Sequence, residues 1–104
     1  MYFAHPDQVG FLAAEQLTRF SFAFHIAMLP KAAGVKEFVK EVMSFLILVY
    51  DVKKFVSLTP ADNKAAARLA RSVGAEQEGL IKSIFMRDGK LRDIIVFGIT
   101  VDGN

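Results

Sequence analysis

The chain has 104 residues, of which 53% are hydrophobic and 12% aromatic, and it contains no cysteine. This length suits one domain with a modest core, and the apolar content excludes a disordered chain. The absent cysteine excludes a disulfide framework and a cysteine-ligated metal. The balance of 13 Lys+Arg against 11 Asp+Glu, with no basic block interleaved with aromatics, argues against nucleic acid as a partner.

Met1 to Asp7 has neither the basic start nor the apolar run of a signal peptide. The longest uncharged apolar stretch, Phe20 to Pro30, is far too short to cross a bilayer. A soluble, cytoplasmic protein is expected, with no membrane partner.

In chain order, Val9 to Ala14 reads as a short strand followed by polar turn material at Glu15 to Arg19. From Phe20 to Leu29 large and small residues alternate, which puts Phe20, Phe22, Phe24, Ile26 and Met28 on one face of a second strand. Pro30 ends it, and the two strands are close enough to form a hairpin. The period then changes. Val35, Phe38, Val39, Val42, Leu46 and Val49 make a helical stripe within Ala32 to Tyr50. Phe45 to Tyr50 is apolar all round, so that end is expected to be buried.

Lys53 to Leu58 predicts a short strand. Thr59-Pro60-Ala61-Asp62 has the grammar of a helix start, with Thr59 as N-cap and Pro60 at the first helical position. That helix runs to Val73, with a narrow face of Ala65, Ala66, Leu69, Ala70 and Val73, and Gly74 supplies its stop. Lys64, Arg68 and Arg71 line up as a basic stripe, most simply a solvated face. Glu78 to Met86 and Leu91 to Val101 are β-rich, and Asp88-Gly89 between them is a strong hairpin signal.

The ordered set Asn63-Lys64-Ala65-Ala66-Ala67-Arg68-Leu69, Gly74-Ala75, Glu78-Gly79-Leu80, Asp88-Gly89 and Arg92-Asp93 resembles the GNAT superfamily of N-acetyltransferases. It looks most like the branch that modifies ribosomal-protein N-termini and related substrates. The likeness is clearest over residues 60 to 101. Before that it rests on element order and one motif. It implies an α+β fold, residues 1–104 forming one acyl-CoA-binding-type domain. Its mixed, mostly antiparallel sheet would carry a long central helix and a shorter second one. The family's N-terminal strand and helices would be missing.

The resemblance also implies acetyl-CoA as cosubstrate. In the family a strand runs into a glycine turn that opens the long helix, where free backbone amides bind the CoA diphosphate. Lys31-Ala32-Ala33-Gly34-Val35-Lys36 stands at that place, with Lys31 where the family has Arg or Gln and Lys36 in place of a small residue. The implied cofactor-binding residues are Met28, Leu29, Lys31, Ala33, Gly34, Val35, Lys36, Asn63 and Ala66. The same residues read without the family are a strand-to-helix loop using glycine for its turn, and Asn63 a polar residue in a first helical turn.

Two departures concern catalysis. The family's Tyr acid aligns with Ala70, and the strand before the phosphate turn has no carboxylate, leaving His25 as its only titratable group and the candidate base. His5, ahead of Pro6, has no role assigned to it. Two distant histidines without cysteine give no metal site. The implied activity is acetyl transfer to a primary amine. The alternative is an inactive GNAT-fold binding or assembly protein of the short kind found in bacteriophages, acting in head assembly or the virion. A homodimer, or another chain covering the missing front, is the expected partner.

Overall fold

The computed structural model describes residues 1–7, 10–28 and 33–101. Six strands and two helices follow one another as β1 (Tyr2–Ala4), β2 (Gly10–Thr18), β3 (Ser21–Met28), α1 (Val35–Tyr50), β4 (Lys54–Pro60), α2 (Lys64–Ser72), β5 (Glu76–Arg87) and β6 (Lys90–Thr100). They form one sheet in the order β1-β2-β3-β4-β6-β5, antiparallel except where β3 meets β4. This is the α+β, mostly antiparallel architecture that the resemblance implies.

The β2–β3 hairpin forms as expected, but β2 continues through Glu15 to Thr18 because those residues pair with Ser21 to Ala23. The polar stretch keeps its ladder and the turn moves to Arg19-Phe20. β1 was not expected. Its three residues pair with Phe11 to Ala13 at the sheet edge.

Both helices pack on one face. Leu12, Ala14, Phe22, Phe24 and Phe55 of the sheet meet Phe38, Val39, Val42 and Leu46 of α1, while Leu69 and Val73 of α2 join the margin of the same cluster. Leu46, Val39 and Phe97 are almost wholly buried. A helix with a stripe this regular is held chiefly by that burial.

Three expectations are corrected. Helix α1 begins at Val35, not Ala32, because Gly34 takes a left-handed conformation (φ 70°, ψ 16°) as its N-cap. Its C-terminal turns are not buried: Leu48 is 85% exposed and Phe45, Val49 and Tyr50 lie open. Only one side of the helix can face the sheet, and Leu46 with Ile47 occupies it.

The third correction concerns Thr59-Pro60. These residues end β4 instead of starting a helix, since β4 pairs with β6 as far as Pro60 and Ile94. Asn63 caps α2, its Oδ1 accepting from Ala66 N at 3.0 Å. The strand ladder outweighed the local capping grammar. The stop at Gly74 is as expected: Gly74 N donates to Arg71 O and Ala75 N to Ala70 O, both at 3.0 Å. Asp88 and Gly89 both take positive φ in the β5–β6 turn.

Candidate active site

β3 and β4 run side by side for four pairs, from Ser21–Lys54 to Phe24–Ser57, and then part. Both strands go on, each held by its outer neighbour: β3 by β2 as far as Met28–Gly10, and β4 by β6 as far as Pro60–Ile94. The inner edges beyond Phe24 and Ser57 therefore carry backbone polar groups with no strand partner. Such groups need water or a ligand.

Above this parting lies a cleft of about 670 Å³, walled by Val35, Val39 and Met43 of α1 and Ala66, Leu69 and Ala70 of α2. The size falls in the usual range for small-molecule sites, roughly 300–1,000 Å³. Phe24, Phe55 and Phe97 contribute to its floor, Ser57, Thr59 and Asn63 are polar residues on its lining, and His25 borders it from β3. Ser57 Oγ and Thr59 Oγ1 lie 3.2 Å apart, with Thr59 buried. The alanine face of α2 thus borders a space instead of packing tightly. Arg71 leaves the basic stripe to lie over the Phe97 ring, 5.3 Å from its centroid.

The N-terminus of α1 stands at one end of this cleft, where Val35 is part of the wall. Gly34 provides no side-chain cap, and the first intrahelical bond is Phe38 N to Gly34 O at 3.0 Å. The amides of Val35, Lys36 and Glu37 precede it and have no intrahelical acceptor, the arrangement that attracts anions.

Of the expected site residues, His25, Val35, Asn63 and Ala66 come together on the cleft, and Ala33, Gly34 and Lys36 are exposed at the helix start. Met28 ends β3 opposite Gly10. Leu29 and Lys31 lie outside the described residues. Capping uses Asn63 Oδ1 and leaves its amide NH2 for another acceptor.

One chemical group escaped the sequence reading. Glu15, on β2, places Oε2 3.9 Å from His25 Nε2, both side chains being well exposed. Register explains it: Ala13 pairs with His25 and Glu15 with Ala23, so the two side chains share the sheet face opposite the helices. A carboxylate on the neighbouring strand has no sequence spacing that marks it. Ala70 lines the cleft and offers no hydroxyl.

Neither a scan against protein-family models nor a search of curated proteins finds a match. Solved structures do match. The chain is similar to the ribosomal-protein-S5-alanine acetyltransferase from Vibrio fischeri, with 16% identity and a TM-score of 0.79, covering 90% of this chain and 55% of that one. It is similar to the spermidine N-acetyltransferase from Vibrio cholerae, solved with CoA and spermine, with 15% identity and a TM-score of 0.82, covering 93% and 62%. The fold is GNAT. The chain is also similar to yncA from Salmonella typhimurium, solved with its cofactor acetyl-CoA, with 13% identity and a TM-score of 0.82, over 92% of this chain and 60% of that one. This chain therefore spans between 55% and 62% of the length of those three GNAT chains. No helix among the described residues is long and apolar enough to cross a membrane.

Proposed function

We propose that residues 1–104 form an acyl-CoA-binding domain that transfers an acetyl group from acetyl-CoA to a primary amine. The observation that carries this reading is the parting of β3 and β4 beside the uncapped start of α1. A β-sheet seldom leaves two inner strand edges unpaired, and here the opening adjoins a ligand-sized cleft.

The residues present fit the cofactor. The amides at the start of α1 would hold the diphosphate, with Lys31 and Lys36 adding charge that the helix dipole alone does not supply. Asn63 NH2 would donate to the arm, and Ala66 and Val35 would line its path. Leu29 and the β3 edge at Met28 would offer the backbone groups that the arm's amides need. When bound, acetyl-CoA supplies the acetyl group as a thioester.

For the acceptor, His25 takes the proton that the attacking amine gives up, with the Glu15 carboxylate 3.9 Å from its Nε2. Ala70 gives no proton to the leaving thiolate, which is stable enough to depart unaided. The sheet face bearing His25 also carries Phe11, Ala27 and Leu58, all exposed. An acceptor, or a second chain, meets the protein there.

A second reading is an inactive binding or assembly protein. It is favoured by Ala70 at the place of the family's acid and by the exposed apolar side chains of Tyr2, Phe11 and Leu58. Self-association belongs to both readings. Large apolar side chains left in water favour a partner, and a homodimer is the simplest. The spermidine N-acetyltransferase from Vibrio cholerae has a dodecameric structure.

Calorimetry with acetyl-CoA, followed by an assay of free thiol release with primary amines, tests the proposal. Saturable binding that Gly34→Glu abolishes, with amine-dependent thiol release, supports the enzyme. Binding with no release for any amine selects the inactive reading. No heat at millimolar acetyl-CoA rejects CoA binding altogether.

A further inference from the structure

His5 is one of two polar residues buried among the described ones, at 5% exposure. It lies in the β1–β2 connection, yet its ring packs edge-on against Phe38 of α1, with centroids 5.2 Å apart. Both ring nitrogens are used. Asp7 N donates to Nδ1 at 3.1 Å, so Nδ1 carries the lone pair. The proton is then on Nε2, which lies 3.1 Å from Ala33 O and donates to it.

That acceptor matters because of the peptide it belongs to. In a trans peptide the carbonyl and the following N–H point in opposite directions. Drawing Ala33 O toward His5 therefore turns Gly34 N–H away from His5. A left-handed Gly34 followed by a helical Val35 is a turn in which successive N–H groups can converge on an anion.

Gly34 has no β-carbon to stop this peptide from rotating, and its φ of 70° is a conformation glycine leaves easily. A flipped peptide would point the Ala33 carbonyl at the seat and aim Gly34 N–H at the depression lined by His5, Glu37 and Glu41. The first change would repel a phosphate, and the second would take a donor away from it. We propose that His5 is a positioning residue: it fixes the Ala33–Gly34 peptide so that the Gly34 amide serves the diphosphate seat. This rests on the CoA-binding reading above.

The test is calorimetry of the full chain with CoA and with pantetheine, which lacks the diphosphate. His5→Phe keeps a ring against Phe38 but cannot donate to Ala33. It should weaken CoA by about tenfold, the value of one hydrogen bond to a charged group, and leave pantetheine unchanged. His5→Gln, long enough to reach Ala33 O, should restore most of the loss. Should His5→Phe not fold, His5→Asn replaces it, since a shorter amide can still accept from Asp7 N but cannot reach Ala33. Unchanged CoA affinity overturns the role of His5, as does an equal loss for both ligands. Absence of CoA binding by the unaltered chain instead removes the functional reading itself.

Discussion

The carboxylate of Glu78 lies across Gly98, in the space a β-carbon there would fill. Glu78 reaches that position as the extra residue of a bulge, since Gln77 pairs with Phe97 and Gly79 with Val96. From there it meets Lys54 Nζ, which also donates to Thr100 Oγ1 at 3.0 Å. The contact joins β5 to β4 across β6. Gly98→Ala should evict the carboxylate and cost about 1 kcal/mol in urea unfolding, combining overpacking with a lost, partly exposed ion pair. In a Glu78→Ala background the same substitution should cost much less. Equal costs in both backgrounds would show that Glu78 does not occupy the space.

Leu46 and Leu48 stand two residues apart on α1 and differ completely in burial, at 0% and 85% exposure. Leu46→Ala should destabilise the protein by roughly 2–5 kcal/mol. Leu48→Ala should change stability by less than about 0.5 kcal/mol. The pair reads out which side of the helix faces the sheet. A large loss at Leu48 would mean that a partner covers it in solution.

Asn63 combines a cap with a proposed ligand contact, and two substitutions separate these. Asn63→Ala should cost about 1 kcal/mol of stability through the lost bond to Ala66 N. Asn63→Asp keeps a capping oxygen and should keep stability. It removes the NH2 and should weaken CoA binding. An aspartate variant that binds CoA normally would leave Asn63 with the capping role alone.

The base assignment is tested by rate. His25→Gln should lower turnover by about 100-fold, at the low end for a general base, with little change in CoA affinity. Glu15→Gln should lower it less, because Glu15 acts through His25 at 3.9 Å. A His25 variant with normal turnover would move the base elsewhere.

What could be read from the chain was local. The α1 stripe as far as Leu46, the Asp88-Gly89 turn and the Gly74 stop each depend on nearby residues, and each is realised, whereas Val49 of the expected stripe is exposed. What could not be read depended on distant strands. Thr59-Pro60 satisfied the rules for a helix start, but pairing with Ile94 and Ile95 kept it in the sheet. The apolar end of α1 gave no sign of which residues would face water. For the site, Gly34, Asn63 and His25 carried signals of type or motif. Glu15 and His5 carried none, because each acts through a contact that only the folded register creates. His5 and Ala33 are 28 residues apart in sequence.

If acetyl-CoA enters where β3 and β4 separate, the backbone around that opening should respond to CoA. Titrating CoA into isotope-labelled protein while following backbone amide resonances reads that response. The largest shifts should fall on His25 to Ala27, on Gly34 to Glu37 and on Leu58 to Thr59. Shifts confined to the β5–β6 hairpin, or none at saturating CoA, would contradict it.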